Sequence, residues 1–115
     1  MDIETLREYC LEKKGVEESF PFGPDTLVFK VAGKMFLLIN LNNPVSFNAK
    51  CDPERAVSLR EEFAEIVPGY HMSKIHWNTV NMQGRLSDMQ LKELIDHSYA
   101  LVYQGLSKKV RAELS

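Results

Sequence analysis

The residues best suited to chemistry collect in one stretch, Pro68–Asn81. It holds the only tryptophan, Trp77, and two of the three histidines, His71 and His76, and it contains no acidic residue. Nucleophilic catalysis needs a thiol or hydroxyl beside a base that a third group orients. Cys51 with either histidine offers two of these parts, and no local signature supplies the third. We therefore predict no catalytic residue and a protein that is not an enzyme.

Metal binding finds little support in the sequence. His71 and His76 do not have the helical i, i+4 spacing of a zinc pair, and no thiolate pair accompanies them. Glu4, Glu8 and Glu12 lie four apart and form an acidic stripe on a predicted helix. Such a stripe either binds cations weakly or is a solvated helix surface. No glycine-rich phosphate loop occurs, so we predict no metal ligand and no cofactor.

Basic and aromatic residues are the remaining candidates. The net charge of −2 disfavours strong non-specific nucleic-acid binding by the whole molecule. Residues 19–51 and 66–86, however, carry five basic residues and one acidic residue, whereas the rest carries nine basic and fifteen acidic. Either helix surfaces simply favour glutamate, or the sheet has a mildly electropositive face. The candidate nucleic-acid contacts are Lys30, Lys34, Lys50, Lys74, His76, Trp77, Asn78, Arg85, Lys108, Lys109 and Arg111.

A strand is predicted around Lys74–Asn81. Alternation places Trp77 and Thr79 on one face and His76 and Asn78 on the other. Two arrangements remain open. If Trp77 packs under a helix, then His76 and Asn78 point to the open face; if Trp77 is exposed, it offers a surface on which bases can stack. A slip of one residue in register would exchange the two faces.

Turn formers and capping residues divide the rest of the chain. Asp2 caps a first helix that Gly15 ends, Asp52-Pro53 opens a second that ends at Pro68-Gly69, and Ser87 opens a third with a capping box to Gln90. Ser107 caps a short basic helix at the C-terminal end. The predicted strands are Thr26–Ala32, Met35–Leu41, Val45–Lys50 and the one around Lys74–Asn81.

Two loops have specific predicted roles. In the loop Ser19–Asp25, Phe20 and Phe22 are expected to pin the chain onto the core, with a ligand pocket as the alternative. Gly33-Lys34 is expected to close a type II′ hairpin, with Gly33 at the positive-φ position.

The predicted order is α-β-β-β-α-β-α-α. Tight turns make neighbouring strands antiparallel, so we predict one α+β domain over residues 1–115. It is a two-layer sandwich with an antiparallel sheet of four or more strands, helices on one face and the other face open. No apolar run approaches the ~20 residues of a membrane helix, and the acidic N-terminus lacks a signal peptide. We therefore expect a cytoplasmic protein that has no membrane partner, with Cys10 and Cys51 reduced.

Three segments together resemble the MmcQ/YjbR family of small bacterial proteins. They are Pro68–Val80, His97–Val102 and Gly105–Arg111, and the Phe20–Gly23 loop and the Val28–Leu41 hairpin also fit. The resemblance covers essentially the whole chain. It implies a fold similar to that of bacterial frataxin, a CyaY-like arrangement of helices against an antiparallel sheet.

The resemblance also implies a function. The family is commonly described as DNA-binding through projecting hairpin wings, which here correspond to Gly33-Lys34 and the turn around Gln83-Gly84-Arg85. The leading hypothesis is a non-enzymatic DNA-binding protein that contacts phosphates through these wings and a basic sheet face. The alternatives are a protein-interaction module that uses the open sheet face and, by analogy with frataxin, iron handling by the acidic first helix. The sequence leaves the oligomeric state open.

Overall fold

The computed structural model describes residues 1–114 and contains four helices and six strands in that range. In chain order the elements are α1 Ile3–Leu11, β1 Val16–Ser19, β2 Thr26–Val31, β3 Lys34–Asn40, β4 Ser46–Lys50, α2 Pro53–Glu62, β5 Ile66–Pro68, β6 Trp77–Asn81, α3 Asp88–Gln104 and α4 Lys108–Glu113. The sheet has the strand order β1-β2-β3-β4-β6-β5, and every neighbouring pair is antiparallel. This confirms the predicted α+β class with a two-layer sandwich.

Capping side chains begin all four helices where the sequence predicted them. Asp2, Asp52, Ser87 and Ser107 each accept a hydrogen bond from a backbone N–H in the first turn. These side chains satisfy donors that have no partner within the helix. At Ser87 the capping box with Gln90 is complete in both directions, as predicted.

The two edge strands, β1 and β5, were not predicted. They are only four and three residues long, so alternation has little room to show. Ile66 and Val67 were assigned to the second helix, and this was wrong. The helix ends at Glu62, because Phe63 adopts an extended backbone with φ −121° and ψ 121°, and the chain then pairs with β6.

The β2–β3 hairpin turns at Ala32-Gly33 and not at Gly33-Lys34. Val31 pairs with Lys34, and both turn residues have positive φ, 50° at Ala32 and 78° at Gly33. Two consecutive positive φ values define a type I′ turn, which suits the twist of hairpin strands. Lys34 therefore begins β3, and the predicted type II′ turn was wrong.

The helices cover one face of the sheet, as predicted. Phe29, Leu37 and Phe47 from the strands and Leu91 and Ile95 from α3 belong to one buried cluster. Leu27 and Val31 of β2 and Ala49 of β4 belong to the same cluster, so alternate side chains of these strands face the helices.

Ser98 of α3 is inserted where the β3–β4 ladder ends. The ladder runs from Ile39–Phe47 to Leu37–Ala49, and the next pair would be Phe36 with Lys50. Instead, the Ser98 hydroxyl accepts from the Lys50 N–H at 2.8 Å and donates to the Phe36 carbonyl. The helix layer therefore completes the hydrogen bonding of the sheet at this point.

Trp77 is buried, with 8 % of its surface exposed, on the face away from the helices. It packs there with Val28, Leu38 and Met72 in a second, smaller cluster. Asn78 points to the helix side and is 3 % exposed. The predicted alternation was right, but the expectation that a buried Trp77 lies under a helix and leaves Asn78 on the open face was wrong.

Within residues 1–114, no helix is long and apolar enough to cross a membrane. The likeness to the CyaY-like fold of frataxin stays a prediction.

Candidate ligand groove on the open sheet face

A groove of about 510 Å³ lies on the sheet face that the helices leave uncovered. Its position follows from the register. Thr26 pairs with Asn40, and Asn48 pairs with both Leu38 and Thr79, so these side chains share one face. The polar lining residues are Thr26, Asn40, Asn43, Ser46, Asn48, Tyr70, His71 and Thr79.

The groove is lined by polar and apolar side chains together with the imidazole of His71. Its lining contains no Asp, Glu, Lys or Arg among the residues that the structure describes. Part of its polar lining is also available for a ligand. Within residues 1–114 the side chains of Thr26, Asn43 and Ser46 have no hydrogen-bond partner, and Asn40 uses only its Oδ1, which accepts from the Asn42 N–H at 2.9 Å.

Exposed aromatic residues form the two walls. Phe22 lies in the loop before β2 and is 62 % exposed, and Tyr70 lies in the loop after β5 and is 69 % exposed. Phe20 is also 48 % exposed, so the prediction that Phe20 and Phe22 pin their loop onto the core was wrong. The alternative prediction, a pocket at this loop, agrees with the contribution of Phe22 to the groove.

Hydrogen bonds to the sheet hold the Tyr70 wall in place. The Tyr70 N–H donates to Thr79 Oγ1 at 2.9 Å, and Asn48 Nδ2 donates to the Tyr70 carbonyl at 3.2 Å. The Thr79 hydroxyl in turn donates to Asn48 Oδ1. One threonine and one asparagine on neighbouring strands therefore fix the backbone of Tyr70 on both sides.

Arg60 of α2 fixes the far end of the same loop. Its guanidinium donates to Asn78 Oδ1 at 2.6 Å, to the Trp77 carbonyl at 3.3 Å and to the Lys74 carbonyl. Asn78, predicted as a nucleic-acid contact, instead connects the loop to the helix layer.

His71 has a left-handed backbone, with φ +60°, beside the wall residue Tyr70. The two ring centroids lie 4.0 Å apart. Non-glycine residues in this region carry strain of order 1–3 kcal/mol, which persists where the surroundings hold the backbone, and such strain concentrates at binding sites. The anchors at Asn48 and Thr79 supply that constraint.

The predicted wings lie at opposite ends of the sheet. Lys34 is at the end where Lys50 pairs with Trp77, whereas Asn81, which precedes the Arg85 turn, pairs with Ser46 at the other end. A strand of five residues spans about 16 Å. The two wings therefore do not form one continuous contact surface.

The other predicted contact residues are dispersed. Lys30 and Lys50 are half-exposed on β2 and β4, and His76 is exposed before β6. Lys74 is exposed, and its Nζ donates to the Gly69 carbonyl at 3.0 Å. Lys108, Lys109 and Arg111 belong to α4 in the helix layer. None of these residues lines the groove.

Arg85 is paired with a carboxylate. Its Nε lies 3.5 Å from Glu65 Oε2, and its backbone N–H donates to the same oxygen at 2.7 Å. That N–H is the main reason why the pKa of Glu65 is lowered from its usual 4.5. The positive charge of Arg85 is thus partly offset where the second wing was predicted.

The two cysteines are free, buried thiols. Burial raises the pKa of Cys51, and it raises that of Cys10 to about 12. His97 Nε2 accepts from the N–H of Asp52, the residue that caps α2, at 3.1 Å. In the described part of the chain, no group of three or more His, Cys, Asp or Glu residues is arranged to hold a metal ion, and Glu4, Glu8 and Glu12 form no such group.

Sequence reasoning missed the groove because its residues are polar and scattered. Asn40 and Asn48 fall within the predicted strands Met35–Leu41 and Val45–Lys50, and Asn43 falls between them, and none was assigned a role in binding. The available signal was the concentration of asparagine and serine on outward positions of adjacent predicted strands, which is unusual because these residues favour turns.

Comparisons with known proteins identify the family. The YjbR family model matches residues 11–101. The uncharacterized protein YbdF of Escherichia coli O157:H7 is 40 % identical over 107 residues, which is 92 % of this chain and 88 % of the relative. The uncharacterized protein YjbR of Escherichia coli strain K12 is 34 % identical over 112 residues, covering 96 % and 95 %. A crystal structure of a Deinococcus radiodurans protein with a DUF419 domain superposes with a TM-score of 0.92 at 39 % identity, covering 98 % of this chain and 87 % of that one. The chain therefore belongs to the YjbR family.

Proposed function

We propose that this protein is a non-enzymatic binding module that holds a neutral small molecule in the open-face groove. The observation that carries the proposal is the lining of the groove, which offers unpaired neutral hydrogen-bonding groups and, among the described residues, no Asp, Glu, Lys or Arg. Its volume of about 510 Å³ falls within the range of small-molecule pockets. A charged ligand would lose hydration there without gaining an opposite charge.

The chemistry of the thiols supports a non-enzymatic role. A cysteine nucleophile acts as its thiolate, and burial raises the pKa of Cys51. The Cys51 N–H donates to the carbonyl of His76 at 2.8 Å, so these residues meet through their backbones. The two free, buried thiols also support our proposal that the protein works in the cytoplasm, where cysteines stay reduced.

The groove is tested by blocking it. Neutral fragments are titrated into ¹⁵N-labelled protein, and the expected chemical-shift changes lie at the groove residues Asn43, Ser46 and Tyr70. The variant Ser46→Trp fills the groove and should abolish binding. Ser58→Trp makes the same change on the exposed surface of α2 and should leave binding intact. Hits that survive Ser46→Trp, or no saturable binding below about 1 mM, would contradict the proposal.

DNA binding is the second candidate, and unpaired cations favour it. Within residues 1–114, none of five predicted contacts forms an ion pair: Lys30, Lys34, Lys50, Lys108 and Lys109. Such lysines are able to contact phosphates, and binding would then weaken steeply with salt. Because the wings lie at opposite ends of the sheet, each would act separately.

Titration of labelled duplex and single-stranded DNA tests this second candidate. Micromolar binding at ~50 mM salt is expected, with a smaller salt dependence in Lys34→Ala. Arg85→Ala should have a weaker effect than Lys34→Ala, because Glu65 already lies beside Arg85. Absence of micromolar binding would exclude the DNA candidate. A pull-down that retrieves a protein which competes with groove fragments would instead favour a protein-interaction module on the open face.

A further inference from the structure

We propose that the ligand of the groove is a free nucleoside or nucleobase, a flat neutral heteroaromatic ring with hydrogen-bond donors and acceptors along its edge. This inference rests on the proposed small-molecule function and names the ligand class. Two features of the groove carry it: aromatic side chains exposed on the walls, and neutral polar groups without partners on the floor.

The walls offer surfaces on which a ring can stack. Phe22 and Tyr70 expose 62 % and 69 % of their surfaces, although large apolar side chains gain free energy from burial. A ring that stacks on either wall would cover this surface, and stacking tolerates many heterocycles because each has a π-face.

The spacing of the walls suits a ring with a substituent. Phe22 lies beside β2, and Tyr70 is bonded to β4 and β6. In the strand order β2-β3-β4-β6, three spacings of about 4.8 Å separate the outer strands, so the floor is about 14 Å wide. This width holds a ring stacked on one wall together with an attached sugar.

The floor offers the groups that read the edge of a heterocycle. An asparagine amide presents one donor and one acceptor side by side, which matches the paired groups on a base such as adenine. Asn43 has its whole amide available, and the hydroxyls of Thr26 and Ser46 each both donate and accept. An aliphatic ligand would leave these groups buried without partners, at a cost.

The wall at Tyr70 is already ordered. Hydrogen bonds with Asn48 and Thr79 hold its backbone, and the centroid of its ring lies 4.0 Å from that of the His71 ring. Binding therefore does not have to order the loop, and a preorganised site retains more of its interaction free energy as affinity.

The lining favours a free nucleoside over a nucleic-acid strand. Proteins that bind single strands pair stacking residues with a positively charged groove that follows the phosphates. No Lys or Arg is found among the described residues that line this groove. A phosphate inside it would have no Lys or Arg beside it, so a nucleotide should bind no more tightly than its nucleoside.

The test is a set of NMR titrations of the ¹⁵N-labelled full chain. The probes are adenosine, uridine, adenosine monophosphate, methyl glucoside and a short oligothymidine. We expect saturable binding of a nucleoside, with shifts at Asn43, Ser46 and Tyr70. Tyr70→Ala should weaken it roughly tenfold, as loss of a stacking partner does, whereas Tyr70→Phe should keep it. Ile75→Ala is the matched control, because Ile75 is 64 % exposed on the same loop and does not line the groove.

The outcomes separate the two proposals. If methyl glucoside or another neutral fragment saturates the groove and neither nucleoside does, the nucleoside inference is wrong and the proposed function stands. If no neutral ligand binds, both are wrong. If the oligothymidine or the monophosphate binds more tightly than the nucleosides and loses affinity with salt, the ligand is a charged nucleic-acid unit and the inference is overturned.

Discussion

Replacing Ser98 with alanine should destabilise the fold strongly for a change of one oxygen atom. Ser98 is fully buried, and its hydroxyl joins the Lys50 N–H of β4 to the Phe36 carbonyl of β3. Alanine leaves one donor and one acceptor inside the protein without this partner. Each unsatisfied buried group costs about 1–3 kcal/mol. Some of this cost is offset if β3 and β4 move closer together and the two groups bond to each other. We therefore expect Ser98→Ala to lower the free energy of unfolding by about 2–4 kcal/mol.

A matched control separates the hydrogen bonds from helix propensity. Ser58 also lies inside a helix, but it is exposed, and its hydroxyl donates to the Glu54 carbonyl at 3.2 Å. Ser58→Ala carries the same gain in helix propensity, about 0.5 kcal/mol, without leaving a buried group unpaired. We expect Ser58→Ala to be neutral or slightly stabilising.

Urea unfolding provides the measurement. Trp77 is the only tryptophan and is buried, so its fluorescence reports tertiary unfolding, and far-UV circular dichroism reports the helices. Coincident transitions would support a two-state analysis. If the free energy of unfolding of Ser98→Ala lies within about 0.5 kcal/mol of that of Ser58→Ala, the reasoning is refuted. Lys50 and Phe36 would then bond to each other or to water at no cost.

Three further predictions concern a histidine, the two thiols and the β2–β3 turn. Burial lowers the pKa of His97 below its usual 6.5, so the contribution of His97 to stability is present above that pH and is lost as the pH falls through the folded-state pKa. The difference in free energy of unfolding between wild type and His97→Ala should therefore shrink on acidification. A constant difference in urea unfolding would contradict this. Cys10 and Cys51 should react with a thiol reagent only as fast as the protein opens, and rapid modification of native protein would show an accessible thiol instead. Gly33→Ala should lower the free energy of unfolding by about 1 kcal/mol, because φ is +78° there; an unchanged urea midpoint would contradict the type I′ assignment.

Local chemistry accounts for the parts of the fold that were predicted correctly. The starts of α2 and α3 were readable because Asp52-Pro53 and the Ser87–Gln90 box satisfy helix N–H groups through neighbours in the sequence. The edge strand Ile66–Pro68 was missed because three residues show no periodicity, and its pairing with β6 is a contact with residues ten or more positions away.

The candidate site was predicted less well, because its residues come from separate segments. Phe22, Asn43 and Tyr70 meet only after three loops are placed around the sheet. The predicted cations, by contrast, are concentrated in two ranges of the sequence but are far apart in the structure. Lys34 and the Arg85 turn lie at opposite ends of the strands.

The stretch Pro68–Asn81 shows where sequence information ends. By itself the sequence determined that Trp77 and Asn78 lie on opposite faces, because side chains alternate along any strand. It did not determine which face the helices cover, because alternation is the same for either choice. Only the tertiary structure decided this, by placing Arg60 of α2 beside Asn78 and Met72 against Trp77. Because of those contacts, the side chain of Asn78 faces the helix layer, and the opposite face of the sheet forms the groove.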